Sequence, residues 1–299
     1  MNKILIIGAQ NTDIFSKTDN DLIIGDSNPS KINISFGGVG RNIAVNLSRL
    51  GHDIHFLSVF GDDVFSQSAG QNLKEIGIDI GHSLFLKNQN NSIFLGIMNK
   101  ENNLHLGLSD MAIIEHLNPE FFKTKKDYIE GFDMLVIDNN LCAKAIEYLL
   151  HQYESKTIIM DAVSAQKAPK LLPYLHQISL LKVNQLELHE LSNASSIEEQ
   201  LNDLHDRGAQ SILLTQQDKE AILSRKENRI SQTPQKVDSI LNSSGAGDAF
   251  LSGFIHGMIN NYSEEQKLKL ANSAARITLN SDDSTSIELN KNEINKSIF

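Results

Sequence analysis

The stretch Asn242-Ser243-Ser244-Gly245-Ala246-Gly247-Asp248-Ala249-Phe250 joins a glycine-rich turn to the start of a helix and places one acid at the junction. Gly245 and Gly247 carry no Cβ, so the main chain can turn sharply there and approach an anion closely. The amides of Gly245, Ala246, Gly247 and Asp248 are then the unpaired donors of a first helical turn, where the macrodipole also favours negative charge. Asp248 admits two readings. It is an ordinary first-turn acid answering the dipole, or a base stationed beside a phosphate to take a proton from an attacking hydroxyl. Beyond it, Phe250, Leu251, Phe254, Ile255 and Met258 recur at helical spacing, and Gly253 and Gly257, four apart, predict that this helix packs closely on a neighbour.

Working outward, short apolar runs at 4–7, 55–60, 134–137, 157–160, 180–183 and 211–215 alternate with helix-like segments. That alternation predicts an α/β fold with a parallel sheet flanked by helices. Ile43, Leu47 and Leu50 mark one such helix, closed by Gly51. Two regions depart from the pattern. Residues 14–36 and 92–108 alternate polar and apolar side chains around turn formers, at Asp26-Ser27-Asn28-Pro29-Ser30 and at 99–103, and read as strand pairs able to form one small sheet beside the main one. The polar tail at 290–299 is expected to fray.

With 299 residues, 40% of them hydrophobic, the chain can bury a substantial core. A formal charge of −10, with no run of Lys or Arg, argues against a nucleic-acid or anionic-membrane partner. A lone Cys142 excludes an intramolecular disulfide and a thiolate cluster and fits a reducing compartment. The first residues lack the features of a signal peptide, and no apolar stretch approaches the ~20 residues that span a bilayer, so a cytoplasmic location is expected.

A second glycine cluster, Phe36-Gly37-Gly38-Val39-Gly40-Arg41-Asn42, ends the first strand pair and opens a helix. Arg41 and Asn42 can offer donors to a polyhydroxylated ligand, or Asn42 can simply cap the helix. Asn11 and Asp13 follow the first strand, at the carboxyl edge where parallel sheets bind ligands. Asp13 there accepts bonds from adjacent sugar hydroxyls or folds onto its own backbone as a turn former. Asn184 and Glu187 also follow a strand; three apart, they lie on one helix face and suit Mg²⁺, or they form a cap. Gly8 is followed by Ala9-Gln10-Asn11, not by spaced glycines, and there is no Gly-Lys-Ser/Thr, so neither a dinucleotide fingerprint nor a P-loop is present. His189-Glu190 lacks the second His of a zinc-protease helix, and no Gly-x-Ser-x-Gly elbow occurs.

In order and spacing, Gly37-Gly38-Val39-Gly40-Arg41-Asn42, Asn184-x-x-Glu187 and Gly245-Ala246-Gly247-Asp248, with Asn11-Thr12-Asp13 ahead of them, resemble the ribokinase-like (PfkB) carbohydrate kinases over nearly the whole chain. The resemblance implies one domain over 1–299: a doubly wound, mostly parallel sheet with helices on both faces and a small β-sheet lid from about 12–36 and 91–108. It also implies an ATP-dependent phosphotransferase with Asp248 as base, the Gly245, Ala246 and Gly247 amides as anion hole, and Asn184 with Glu187 organising Mg²⁺ and phosphate. Asn11, Asp13, Gly38 and Asn42 would hold the sugar, and adenine would lie near Thr215 and Asn272. Within the family, residues 37–44, Ser109-Asp110-Met111, Asp161-Ala162-Val163-Ser164 with Lys167, and Asn242 are most similar to pseudouridine kinases. Asp110 would then serve substrate binding, with Ser109 departing from the Asn expected before Asp-Met. Asn242, standing where many members have Asp, leaves a monovalent-cation site open. The rival readings are another kinase of the family, acting on ribose, fructose or an ordinary nucleoside, and a non-catalytic sugar or nucleotide sensor. Free edges on the lid sheet suggest a homodimer.

Overall fold

The computed structural model describes residues 3–101, 104–237 and 240–298, so the expected turn at 99–103 lies partly outside the described residues, as does the end of the tail. Among the described residues fourteen strands form: β1 (Ile4–Ile7), β2 (Asn11–Lys17), β3 (Lys31–Gly37), β4 (Ile54–Leu57), β5 (Val59–Phe60), β6 (Leu84–Phe85), β7 (Ile93–Met98), β8 (Leu104–Asp110), β9 (Met134–Asp138), β10 (Thr157–Asp161), β11 (Leu180–Asn184), β12 (Ser211–Thr215), β13 (Ala221–Arg225) and β14 (Asn228–Gln232). Eight make the main sheet in the order β14-β13-β12-β11-β10-β9-β1-β4. From β12 to β4 all neighbours are parallel. Only β13 and β14 run antiparallel, at one edge.

Parallel strands buried on both faces are apolar at every position, and the alternation of their side chains divides the core in two. Ile4, Ile6, Val136, Ile159 and Leu213 pack with Ile43 and Leu47 of the Val39–Arg49 helix and with Phe250, Phe254 and Ala274 of the Ala246–Ile259 and Glu264–Leu279 helices. Leu5, Ile7, Leu135, Ile158 and Val183 face the other way, against Leu149, Leu188 and Leu204. The apolar columns on the first face end at the carboxyl edge in charged residues: Val136 is followed two positions on by Asp138, Ile159 by Asp161 and Leu180 by Lys182. Asp138 pairs with Asp161, and Asp161 with Lys182, in one lateral row.

A second sheet has the order β3-β2-β7-β8 and is built from the two regions expected as strand pairs. Two expectations need correction. The 55–60 run is not one strand, because buried Ser58, whose Oγ donates to the Gly8 carbonyl at 2.7 Å, lets Val59–Phe60 leave the main sheet and pair with β6. The tail is ordered to 298: Asn290 caps the Lys291–Asn295 helix, and Ile294 is fully buried in the core.

The packing expected at Gly253 is present. A Cβ there would stand 2.6 Å from the Leu270 carbonyl oxygen and 2.9 Å from the Ala271 Cα, both backbone atoms of the neighbouring helix. Gly253→Ala must therefore push the two helices apart and is expected to lower stability by about 1–3 kcal/mol. The measurement is a urea midpoint that falls at unchanged m-value; an unchanged midpoint would show that the helices yield freely.

Candidate active site

The Ala246–Ile259 helix starts from Gly245, whose φ of 76° is left-handed and open to glycine at little cost. The Ala249 N–H closes the first turn on the Gly245 carbonyl at 2.9 Å, so the amides ahead of it have no carbonyl within the helix to pair with. These are the amides that the sequence reading takes as an anion hole. Asp248 sits in that turn, buried, and the Asn42 side chain donates to its Oδ2 at 2.8 Å. Asn42 is thus no cap. It is the fourth residue of the Val39–Arg49 helix, and it links the second glycine cluster directly to the acid.

Burial raises the Asp248 carboxyl to about 7, helped by the like charges of Asp161 and Asp138 and opposed by Lys182 and the Asn42 bond. The Lys182 ammonium lies 3.0 Å from Asp161 Oδ2, and both groups are buried. Asp138 Oδ2 accepts from the Ala9 and Gly40 amides, each at 2.8 Å. Sequence reasoning missed the roles of Asp138 and Lys182. The available signal was a charged residue closing an apolar strand, as in Met134-Leu135-Val136-Ile137-Asp138.

On the other side of Asn42, Gly38 has a φ of 100°, and a Cβ there would meet the Ala9 carbonyl at 2.5 Å. The Asn11 amide donates to Asp13 Oδ1, and burial raises the Asp13 carboxyl to about 6 against the lowering effects of Arg41 and Asn11. Asn11, Asp13, Gly38 and Asn42 therefore lie around one junction of β2, β3 and the Val39–Arg49 helix. Arg41 is not a free donor for a ligand. It donates to the Phe36 carbonyl at 2.9 Å and to Asn72 Oδ1 at 2.7 Å and covers the Phe36 ring. Asp110 shares a row with Phe36, Thr12 and Ile93, whereas Asp13 shares the next row with Ser35, Phe94 and Ser109. Adjacent rows point to opposite faces of a pleated sheet. Asp110 thus falls on the face opposite Asp13, with its Oδ1 on the Ala112 amide, and Ser109 falls on the Asp13 face.

Asn184 and Glu187 form a capping box at the Gln185–Leu191 helix: Asn184 Oδ1 accepts from the Glu187 amide at 2.9 Å, and Glu187 Oε2 accepts from the Asn184 amide at 2.7 Å. Capping does not exclude a ligand role, because carboxylate and amide oxygens keep further lone pairs. Among the described residues no group of three or more His, Cys, Asp or Glu forms a metal cage. One carboxylate and one amide oxygen beside an anion-binding turn fit Mg²⁺ carried in with phosphates. Thr215 is the register partner of Asn184. Asn272 lines a cavity of about 210 Å³ with Gln232, Lys269 and Arg276. Asn242 braces its own loop, accepting from the Ser244 amide at 2.8 Å and donating to the Asp282 carbonyl at 2.9 Å.

A raised carboxyl has a cost that depends on pH. Between 3.8, the ordinary value, and about 7, the folded chain keeps a proton on Asp248 that the unfolded chain has released, so stability falls as pH rises through that window. Asp248→Asn is expected to raise stability at pH 8, by an amount on the order of 1–4 kcal/mol, and to leave it nearly unchanged at pH 4. Thermal unfolding at the two pH values checks this; an equal effect at both would mean that the carboxyl is not held up.

The model of the pfkB family of carbohydrate kinases matches residues 1–290. An uncharacterized sugar kinase, YeiI of Escherichia coli (strain K12), is 29% identical over 279 residues, covering 92% of this chain and 77% of its own length. The pseudouridine kinase of the same organism is 27% identical over 281 residues, covering 92% of this chain and 90% of its own. The structure of Arabidopsis thaliana ribokinase complexed with ribose and ATP superposes with a TM-score of 0.89 at 17% identity, covering 99% of this chain and 98% of that one. The fold is therefore the ribokinase fold, and the chain belongs to the pfkB family of carbohydrate kinases as an ATP-dependent kinase.

Proposed function

We propose that this kinase phosphorylates the 5′-hydroxyl of a ribosyl substrate, pseudouridine before other nucleosides or sugars. The observation that carries the reading is Asp248: a buried carboxyl at the start of a helix, near 7, held by Asn42 from the substrate-side helix. A base with that affinity is half ionised at neutral pH and accepts the hydroxyl proton as the oxygen attacks the γ-phosphorus. The bond to ADP breaks as the new P–O bond forms, and the first-turn amides of Gly245, Ala246 and Gly247 receive the charge on the transferred group. Asn184 and Glu187 would hold Mg²⁺ with the nucleotide, the ion neutralising phosphate charge. Asn11, Asp13 and Gly38 would hold the sugar, with Thr215 and Asn272 toward the adenine. Asn242 brings an amide, not a charge, and ties its loop to the Asp282 carbonyl, which leaves a monovalent-cation site there open. The chain acts as one domain over 1–299 with the β3-β2-β7-β8 sheet as a lid that excludes water, the competing acceptor. ATP as donor puts the reaction in the cytoplasm, and among the described residues no helix is long and apolar enough to cross a membrane.

Pseudouridine is favoured by the similarity of residues 37–44 and Asn242 to its kinases and by the match to a pseudouridine kinase over 92% of the chain. Purified protein should consume ATP with pseudouridine faster than with uridine, ribose or fructose. A reversed order would assign another substrate, and binding without turnover across the panel would make the chain a sensor. Asp248→Asn should lower kcat by about two to four powers of ten with ATP affinity within a few-fold; unchanged turnover would remove Asp248 as the base.

A second copy would cover the outer face of the lid sheet. Ile34, Ile14, Leu95 and Leu108 form one row across all four strands, and Ile32, Ser16, Ile97 and Leu106 the next on the same face. Ile34 is 54% exposed and Leu108 53%, a contiguous apolar surface that a lone soluble domain rarely presents. Sedimentation should find a dimer that Ile34→Lys with Leu108→Lys converts to monomer; a wild-type monomer would refute it.

A further inference from the structure

We propose that Lys182 is a positioning residue for phosphoryl transfer: clamped by Asp161, its ammonium stands against the first turn of the Asp248-bearing helix and fixes the acid and the anion-binding amides there. The inference rests on the reading of Asp248 as the base. Lys182 is the third residue of β11, and its register partner on β10 is Asp161, so both side chains leave the sheet on the same face. That face is covered by the Ala246–Ile259 helix, and the N-terminal end of the helix lies over the carboxyl edge of the sheet. The ammonium is 3.0 Å from Asp161 Oδ2, and it is 3.0 Å from the point where a Cβ on Gly247 would stand. Any residue other than glycine at 247 would displace it. Gly247 thus serves the cation as well as the anion.

The groups facing Asp248 come from four elements: Asn42 from the Val39–Arg49 helix, Asp138 from β9, Asp161 from β10 and Lys182 from β11. Asp161, Glu187 and Asp248 in turn all act on Lys182. A fully buried lysine is costly unless paired, and two acids close to a third would repel it and an incoming phosphate. One cation held among them offsets that repulsion without entering the reaction. Asp161 and Lys182 pull Asp248 in opposite directions, the first raising its carboxyl and the second lowering it.

The test follows from those opposite signs. Lys182→Met keeps the length of the side chain and removes the charge; kcat is expected to fall about 100-fold, with the acid limb of the kcat/KM profile moved to higher pH. Asp161→Asn should move that limb to lower pH. Either single change leaves a buried charge unpaired and can unfold the chain, so the double variant Lys182→Met with Asp161→Asn is made as well. It should be as stable as wild type in thermal unfolding and still lose most of its kcat, with KM for ATP and acceptor within a few-fold. Wild-type turnover in the double variant, or acid limbs that do not separate in the two single variants, would overturn the role of Lys182 while Asp248→Asn remains inactive. If Asp248→Asn itself keeps wild-type turnover, the base assignment falls instead, and this inference with it.

Discussion

One carboxylate oxygen, Asp138 Oδ2, accepts the amides of both Ala9 and Gly40 at the carboxyl edge of the main sheet. That clamp fixes the end of β9 against the turn after β1 and against the start of the Val39–Arg49 helix, and so sets where Asn42 reaches Asp248. Loss of the carboxylate would orphan two buried amides at about 1–3 kcal/mol each. The energetic loss would be smaller in consequence than the geometric one, since a tilt of that helix moves Asn42 off the acid. Burial pushes the Asp138 carboxyl upward, while its amide donors hold it down. Three backbone donors, Asn140 among them, converge on it.

The same edge shows how the fold raises a carboxyl with ordinary parts. Along β9, β10 and β11 the apolar columns facing the Ala246–Ile259 helix end in Asp138, Asp161 and Lys182, so the sheet is greasy beneath the middle of the helix and charged beneath its start. Desolvation is the largest influence on Asp248, and like charges add to it. The helix dipole and Lys182 work the other way. What results is a carboxyl near 7, poised between holding and releasing a proton, whereas Glu265, exposed in the first turn of the next helix, is drawn below its ordinary value by hydrogen bonds. Position in a first turn alone therefore does not set the pKa of such an acid; burial does.

Much of this was legible in the sequence. Six apolar runs located the parallel strands because strands buried on both faces leave few polar positions to blur them. The three glycine and Asn/Glu motifs marked the loops at the carboxyl edge, where chain geometry restricts residue choice. Less legible were features that depend on a partner far along the chain. Asn42 stayed open between ligand donor and cap because its bond to Asp248 spans 206 residues, and Arg41 looked free because Asn72 and the Phe36 ring are not its helical neighbours. β13 and β14 escaped notice because Lys226-Glu227 is a polar link without the Gly or Asn that signals a tight hairpin. The face of Asp110 was not legible because it depends on how β8 pairs with β7, which the period-2 pattern of one strand does not fix.

The second sheet carries that sensitivity into function. Its strands alternate so that Asn11, Asp13, Phe94 and Ser109 share one face while Ile14, Ile34, Leu95 and Leu108 share the other. A slip of one residue in any strand would put carboxylate and serine on the apolar face and isoleucine toward the sugar-side junction. Pairing within the sheet is weak protection against such a slip, because an isolated four-stranded ribbon with one wet apolar face gains little from either register. The anchors lie at its inner end, where Asn11 pairs with the buried Gly37 beside the Gly38 turn and the Thr12 amide donates to the Ser92 carbonyl at 2.9 Å. Register is therefore set where the sheet joins the core and propagates outward. The polar face that meets the substrate-side loops is specified by the same few contacts that hold those loops in place.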